Sequence, residues 1–521
     1  MSGLPIALVV AAGLLARGQV ALDAVRPQAI SAHVRFLADD LLEGRDTGSR
    51  GEAIAQRYVA AQMQAIGLLP SLQPVHLVRV RAKGALGDLK PVVVLGDGDG
   101  GAKQIEGPVV FAGFGLPEDV AGADLRGAIA AVLSGAPASL SPIERALASY
   151  NEDKLARLRA KGAIAEVVLT TPEVDQIRPW PALERNFANG QVSNADALPP
   201  LPVVYVDLET SQRLQRDRPA RLKLQLTQAA EKLESANVIG ALPGRSSEAL
   251  VYTAHLDHHG ICAPGQPDPI CNGAIDDATG IAEMLEIARG FAALPERSRT
   301  VLFIATTGEE RGLRGAHWFA AHPTIPPSRI VANLNLDVLL PAWPLHELVL
   351  RGAELSTLED HVRAAAAELG LVIGPDPVPE QTFFARTDAI WFARAGIPSA
   401  TLWQGFTDPS GSKARGEAAF KDFRKNRYHQ PGDDWSADYD WNAAAQMGPR
   451  AAPHRHLASG WGAAAVETWR PVQASVSSAT CPGSCCPPTR FATRRLSTRS
   501  VSACSASRIS TDTPWTRGST A

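Results

Sequence analysis

The sequence lacks a charge excess of either sign and lacks a long apolar segment. Its 521 residues carry a formal net charge of −3, whereas a nucleic-acid-binding protein normally has a basic excess. No apolar run reaches the roughly 18–20 residues that span a bilayer, so we expect no integral membrane association. With 45% hydrophobic and 20% charged residues, the composition is typical of a soluble globular protein, and the length suggests two to four domains.

The N-terminus contains one short apolar run, residues 4–15, followed by small residues that suit signal-peptidase cleavage. We therefore predict a signal peptide at residues 1–21 and a secreted or periplasmic protein. A buried N-terminal helix is the alternative, since Met1, Ser2 and Gly3 supply no basic residue.

The C-terminal segment, residues 448–521, differs from the rest of the chain. It has nine Arg, no Lys and only two acidic residues, together with four of the six cysteines. No helical or strand periodicity persists, so we predict a disordered tail. Two origins stay open for it, a shift of the reading frame near Met447 and a genuine basic extension.

Two predicted regions precede the centre of the chain. Residues 22–104 are expected to form the N-terminal part of a catalytic domain, with helical spacing up to Gly67 as a stop signal. Residues 105–232 mix short apolar runs with a helical stretch at 151–161. Their Gly- and Pro-rich borders favour a compact α+β domain carried on a loop.

Residues 233–447 alternate strand-like runs, at 249–254, 299–306 and 330–336, with a helical pattern at 278–294. This alternation predicts an α/β fold with a mixed, mostly parallel sheet flanked by helices. In such sheets, ligands bind at the carboxyl ends of the strands.

Polar residues follow each of those three strands. His255 and Asp257 end the first, Glu309 and Glu310 follow the second, and Asp337 follows the third. Adjacent carboxylates repel each other unless a cation offsets them. Each residue alone is more often structural than functional, but together the nitrogen and oxygen donors match those of a two-zinc hydrolase.

Two further polar groups lie outside the strands. Asp276 and Asp277 stand where the helical pattern opens, so that one could cap the helix while the other faces a metal ion. Tyr428 and His429 lie in a polar loop near the end of this region.

In this order, the motifs resemble those of co-catalytic dizinc aminopeptidases of the bacterial leucyl aminopeptidase and aminopeptidase Y type, in the branch with a protease-associated (PA) domain insert. The resemblance covers about residues 28–447. It is carried by His-Leu-Asp at 255–257, Asn-Gly-Ala-Ile-Asp-Asp-Ala-Thr-Gly at 272–280, Gly-Glu-Glu at 308–310, Asn-Leu-Asp at 335–337, Tyr-His-Gln-Pro at 428–431, the N-terminal signature at 36–45 and the start of the insert at 110–115.

The resemblance implies a zinc exopeptidase fold with an inserted PA domain and two zinc ions per chain. Asp277 stands where the family often has Asn and is expected not to bind metal. The implied site residues are the bridging ligand Asp276, the ligands His255 and Asp337 of one ion, the ligands Glu310 and His429 of the other, the general base and acid Glu309, the oxyanion donor Tyr428, and Asp257 as the partner that orients His255.

The function implied is hydrolysis of the N-terminal peptide bond of peptides with a free N-terminus, through a metal-bridged water activated by Glu309. The insert is expected to cover the mouth of the site. Alternatives are a zinc-dependent glutaminyl cyclase or a carboxypeptidase on the same scaffold, or a non-catalytic scaffold protein. The sequence does not predict the oligomeric state.

Two local features bear on the site. The stretch 386–390 lacks the aromatic or His residue that often follows the Asp in the family's Ser-Asp motif, so substrate contacts are expected to differ. Cys262 and Cys271 could close a small disulfide loop in an oxidising compartment, or stay as two free thiols.

Overall fold

The structure is a computed structural model that describes residues 25–451. The predicted signal peptide lies outside the described residues, as does the predicted tail beyond residue 451. None of the helices in the described part of the chain is long and apolar enough to cross a bilayer.

Helices and strands alternate through most of the described chain. The helices are α1 (Pro27–Leu37), α2 (Arg50–Ile66), α3 (Pro117–Val120), α4 (Pro142–Ala148), α5 (Asn151–Ala160), α6 (Pro172–Ile177), α7 (Trp180–Phe187), α8 (Leu208–Asp217), α9 (Thr279–Ala293), α10 (Arg314–Ala321), α11 (Leu358–Glu368), α12 (Ala389–Arg394), α13 (Ala414–Asn426) and α14 (Trp441–Ala451).

The strands are β1 (Leu69–Leu86), β2 (Val92–Leu95), β3 (Gly101–Phe111), β4 (Ile129–Leu133), β5 (Ala165–Leu169), β6 (Gln191–Asn194), β7 (Val203–Val206), β8 (Arg221–Leu242), β9 (Ser246–His255), β10 (Gly260–Ile261), β11 (Ile270–Cys271), β12 (Arg299–Thr306), β13 (Ile330–Leu336), β14 (Glu347–Arg351), β15 (Val372–Gly374) and β16 (Ser399–Gln404).

The half of the sheet that lies in the predicted catalytic domain is called the catalytic half below. Its strand order is β15-β14-β16-β13-β9-β12-β8. Strands β16, β13, β9 and β12 are parallel to one another, whereas β14 and β8 join them antiparallel. The predicted fold class, a mixed and mostly parallel sheet flanked by helices, is confirmed. All four parallel strands bring their carboxyl ends to one edge.

Helices cover both faces of this sheet because successive residues of a buried strand point to opposite sides. Tyr252 of β9 packs with Ile281 and Phe291 of α9 on one face. Its neighbour Val251 packs on the other face in the core that includes α10 and α12. The near-continuous apolar strands of the sequence are therefore buried on both sides.

The ends of α2 follow the sequence signals. The Ser49 hydroxyl accepts a hydrogen bond from the Glu52 amide at 3.2 Å, which caps the helix N-terminus. Gly67 follows the last turn with a φ of 102°, a left-handed conformation that favours glycine. The predicted stop at Gly67 is confirmed.

The region from β2 to β7 is joined to the catalytic half by two long strands. Every residue of β1 is paired antiparallel with β8, from Leu69 opposite Ala241 to Leu86 opposite Leu224. The predicted boundaries at residues 105 and 232 fall inside β3 and β8, so paired strands carry this region. Its division into a separate domain stays a prediction. Strand β8 has no apolar run in its first half, because exposed and buried residues alternate there. The sequence therefore does not mark this strand clearly.

The inserted region continues the sheet through β3, β4, β5, β7 and β2. Strands β3, β4, β5 and β7 are parallel, and β2 pairs antiparallel with β7. Apolar clusters lie on both sides of these strands, one around Val167 and Val204 and the other around Val168 and Leu158. The assignment of this region as a PA domain stays a prediction.

Candidate metal centre

The predicted ligands meet at the carboxyl edge of the parallel strands. His255 is the last residue of β9, Asp337 follows β13 directly, and Glu310 lies four residues beyond β12. Asp276 lies in the turn before α9, and His429 follows α13. Three strand ends, one helix start and one loop therefore supply the centre, as the motifs predict.

His255, Asp276 and Asp337 form one group of possible metal ligands. The Nε2 atom of His255 lies 3.0 Å from Asp276 Oδ1 and 3.9 Å from Asp337 Oδ1. The ligand atoms of all three lie within 4.8 Å of one another. One imidazole nitrogen and two carboxylates are a donor set that suits zinc.

A second group lies around Glu310. The Nε2 atom of His429 lies 3.2 Å from Glu310 Oε2 and 3.3 Å from Asp276 Oδ2. Asp276 thus turns Oδ1 to His255 and Oδ2 to His429. A carboxylate with one oxygen in each group is placed to bridge two cations.

Sequence reasoning missed two histidines of this second group. His258 Nδ1 lies 2.8 Å from Glu310 Oε1, and His259 Nε2 lies 3.0 Å from Glu310 Oε2. The ring of His258 packs directly against the backbone of Gly273. Only glycine fits there, because an added Cβ would lie 2.5 Å from His258 Cγ. The signal was present: two consecutive histidines, in a chain with only 12, follow the His-Leu-Asp motif.

The geometry of the second group suits a bound cation better than it suits hydrogen bonds between the members of the group. His258 Nδ1, His259 Nε2 and Glu310 Oε1 are buried and have no hydrogen-bond partner of acceptable geometry. Buried polar atoms of this kind normally have partners. With zinc bonds of about 2.0–2.1 Å, neighbouring ligands of a tetrahedral site lie roughly 3.3 Å apart, close to the separations around Glu310 Oε2.

The paired aspartates have different partners. Asp277 Oδ1 accepts hydrogen bonds from the amides of Gly280 at 3.0 Å and Val338 at 3.2 Å, and Oδ2 accepts one from His255 at 3.2 Å. Both oxygens of Asp277 are thus engaged by backbone amides, and Asp276 is the member of the pair that faces the histidines.

Asp257 contacts His255 differently from the implied arrangement. The ring atom His255 Nδ1 lies 3.1 Å from the backbone oxygen of Asp257, not from its carboxylate. The carboxylate instead accepts from the Glu309 amide at 3.0 Å and from Thr47 Oγ1 at 2.8 Å. Asp257 therefore orients the imidazole through its carbonyl and the Glu309 backbone through its side chain.

Two buried side chains that the sequence did not single out as site residues hold the ligand loops in place. Asp433 accepts from the amides of Ile275 at 2.9 Å and Asp276 at 3.1 Å. Arg45, in the N-terminal signature, donates to the backbone oxygens of Leu256 at 2.8 Å and Gly273 at 3.0 Å. These contacts hold the backbone beside His255 and Asp276.

Burial raises the pKa of Glu309 well above its ordinary value. His255 opposes this rise, whereas Asp337 and Glu310 add to it. Burial also raises the pKa of Asp337, to about 7. Glu309 belongs to none of the groups of possible metal ligands, so the site contains a buried carboxyl group with a raised pKa beside those groups.

Tyr428 lies over the second group. Its ring stacks on that of His429 with centroids 3.7 Å apart, and its Oη accepts a hydrogen bond from Arg386 Nη2 at 2.8 Å. Nearby, Cys262 and Cys271 form a disulfide, so the structure favours that alternative over two free thiols.

The metal centre opens into a cleft of about 1000 Å³. One wall comes from the inserted region, including Arg178 and Trp180, and the other from the catalytic half, including Arg386 and Tyr428. Both parts of the fold therefore line the cleft.

Comparison with known proteins identifies the family. The sequence pattern of peptidase family M28 matches residues 237–453, the segment that holds every predicted ligand. Residues 237–453 of the chain form a peptidase family M28 domain.

Similarity to the relatives extends beyond this segment. Over 406 residues the M28 peptidase is 27% identical to aminopeptidase YwaD of Bacillus subtilis (strain 168), which covers 75% of this chain and 79% of that protein. A vacuolar membrane protease of Clavispora lusitaniae is 30% identical over 135 residues, 26% of this chain and 12% of that protein.

One solved structure supports the fold. An aminopeptidase from Aneurinibacillus sp. strain AM-1 superposes with a TM-score of 0.56 at 19% identity, covering 85% of this chain and 96% of that one. The predicted family resemblance and enzyme class, a hydrolase of the metallo-aminopeptidase type, are confirmed.

Proposed function

We propose that this M28 peptidase removes the N-terminal residue from peptides with a free α-amine, with two zinc ions held by the two ligand groups. The observation that carries the proposal is the position of Asp276, which turns one carboxylate oxygen toward His255 and the other toward His429. In this proposal His255 and Asp337 complete one zinc site, and Glu310 and His429 complete the other.

His259 joins the second site in this proposal. Its Nε2 lies as close to Glu310 Oε2 as that of His429 does, at 3.0 Å against 3.2 Å. When bound, the two zinc ions polarise the scissile carbonyl and lower the pKa of the attacking water.

Glu309 acts as general base and then as general acid. Its carboxyl group lies beside the ligand groups rather than within them, and its backbone is held by Asp257. It takes a proton from the attacking water and passes that proton to the departing amine. The raised pKa of Glu309 suits this role, because the buried carboxylate accepts a proton more readily than an exposed glutamate does.

Tyr428 stabilises the tetrahedral oxyanion. Because Oη accepts its hydrogen bond from Arg386, the hydroxyl proton of Tyr428 stays available for donation to a substrate oxygen. A preorganised donor of this kind acts on the charge that develops in the transition state.

The inserted region limits the length of substrates in this proposal, and the enzyme works outside the cytoplasm. Arg178 and Trp180 of the insert line the same cleft as the candidate metal ligands, which supports restricted entry. The Cys262–Cys271 disulfide supports a secreted or periplasmic location, because disulfides persist mainly in oxidising compartments.

The proposal is tested with zinc-loaded protein and a panel of aminoacyl p-nitroanilides, each also in its N-acetylated form. We expect cleavage of the free amines and none of the acetylated substrates. Equal cleavage of both forms would contradict an aminopeptidase. No cleavage by protein that is folded and contains two zinc ions would favour the cyclase or scaffold alternatives.

A further inference from the structure

Three arginines meet around Tyr428 in the cleft. Arg386 Nη2 donates to Tyr428 Oη at 2.8 Å, and the Arg424 guanidinium lies 4.2 Å above the centre of the Tyr428 ring. Arg178 of the inserted region lines the same cleft. Desolvation in the cleft and the charge of Arg386 lower the pKa of Arg178, although part of the Arg178 side chain is exposed to solvent.

These arginines lack the partners that neighbouring arginines have. Arg386 Nη1 and Arg424 Nη1 are buried and have no hydrogen-bond partner. No ion pair between described residues includes Arg178, Arg386 or Arg424. In contrast, Arg351 pairs with Asp376 and Arg394 pairs with Asp153, both at 2.8 Å.

The carboxylates of the metal centre do not replace those partners. Glu309, Asp337 and Glu310 act on Arg386 from beyond ion-pair distance. In the proposed function, Asp337 and Glu310 bind zinc. Neither carboxylate forms an ion pair with the arginines of the cleft.

An anionic ligand would resolve this arrangement. A buried guanidinium N–H without a partner is costly, and like charges in one enclosed space add to the cost. A carboxylate matches the planar fork of a guanidinium and accepts two parallel hydrogen bonds from it. The free Nη1 atoms of Arg386 and Arg424 are donors of that kind.

We propose that Arg386, Arg424 and Arg178 form a carboxylate-binding subsite beside Tyr428, so that the enzyme prefers peptides with a carboxylate close to the scissile bond. This preference rests on the proposed aminopeptidase function. The carboxylate has two sources, the acidic side chain of a substrate residue and the free C-terminus of a very short peptide.

Matched pairs of substrates test the preference and separate the two sources. Leu-Ala against Leu-Ala amide reports on the C-terminal carboxylate, and Leu-Glu amide and Glu-Ala amide against their Gln counterparts report on a side chain. We expect kcat/KM at least about tenfold higher for the charged member of at least one pair, mainly through KM. Equal values within every pair would overturn the subsite.

Substitutions assign the preference to the arginines. Arg386→Gln and Arg424→Gln should each reduce the charged-to-neutral ratio of kcat/KM severalfold, and the double variant should bring it close to one. Arg415→Gln, at an exposed position of α13, is the control and should keep the wild-type ratio. A preference that survives in the double variant would overturn the subsite, because the zinc ions would then be holding the carboxylate.

A binding measurement separates this inference from the proposed function. Calorimetric titration of zinc-loaded Glu309→Gln protein with Leu-Ala and with Leu-Ala amide, and with the Glu and Gln amide pairs, reports affinity without turnover. We expect at least fivefold tighter binding of the charged peptide in the preferred pair. If wild-type protein cleaves no free amine, the proposed function fails, and equal binding within every pair would still overturn the subsite by itself.

Discussion

The carboxylate of Asp257 accepts a hydrogen bond from the backbone amide of Glu309 at 3.0 Å. Asp257, two positions after the histidine that ends β9, thereby holds the backbone of the carboxylate pair that follows β12. Thr47 Oγ1 donates to the other oxygen of Asp257 at 2.8 Å, so the N-terminal part of the chain takes part in holding the proposed general base.

Removing this contact should lower turnover more than metal content. For Asp257→Ala we expect kcat to fall by about 10–100-fold, the range found for groups that support metal-site residues. Asp257→Asn should be less impaired, because its amide oxygen can still accept from Glu309. Steady-state kinetics with zinc analysis of the same samples checks this, and equal kcat for Asp257→Ala and wild type would contradict it.

Replacing each of the neighbouring glutamates with glutamine should affect a different property, turnover for Glu309 and zinc binding for Glu310. Glu309→Gln should lower kcat by about 10²–10⁴-fold through loss of general base catalysis, with two zinc ions retained. Glu310→Gln should lower the zinc content, because His259 and His429 both lie within 3.2 Å of its Oε2. Metal analysis after dialysis, together with kcat, distinguishes the effects of the two variants. Loss of zinc from Glu309→Gln would show that Glu309 is a metal ligand instead.

His259 should contribute to metal affinity even though the family resemblance assigns it no role. We expect His259→Leu to weaken the binding of one of the two zinc ions by about tenfold or more, as measured by competition with a chromophoric chelator. His322→Leu, at a half-exposed histidine beyond α10, is the matched control and should bind both ions as wild type does. Unchanged zinc affinity of His259→Leu would exclude His259 as a ligand.

Buried Glu166 in the inserted region should make stability depend on pH. Burial raises its pKa from 4.5 to about 7, against the opposing hydrogen bond from Asn151 and the charge of Lys154. Between pH 4.5 and 7 the folded protein then binds more protons than the unfolded chain, so the free energy of unfolding falls as the pH rises.

Glu166→Gln should remove that fall. As the pH rises from 4.5 to 7.5, the free energy of unfolding of the variant should increase relative to that of wild type by up to roughly 3 kcal/mol. Urea unfolding across this range measures the difference, with the exposed Glu173→Gln as the control. A difference between Glu166→Gln and wild type that is constant with pH would show that Glu166 is not protonated in the folded state.

The sequence indicates the candidate ligands His255, Glu310 and Asp337 because they lie at or shortly after the ends of apolar strands. Strands β12 and β13 have the bounds that their apolar runs indicate, and parallel strands carry such residues to one edge. Asp433 could not be placed in this way. Its role depends on close approach between segments far apart in sequence, because it contacts the turn that holds Asp276.

The connection to the inserted region was missed for a different reason. Strands β1 and β8 are each exposed on one side over much of their length, so their residues alternate instead of forming apolar runs. The stability of such a pair comes from the ladder between the strands, and the register of a ladder is not visible in either segment alone.

Anomalous diffraction from crystals of the zinc-loaded enzyme tests the central claim most directly. We expect two zinc peaks about 3.5–4 Å apart, with one oxygen of Asp276 bound to each ion and the Glu309 carboxylate bound to neither. A single peak, or two peaks that do not share Asp276, would contradict the two-metal peptidase site.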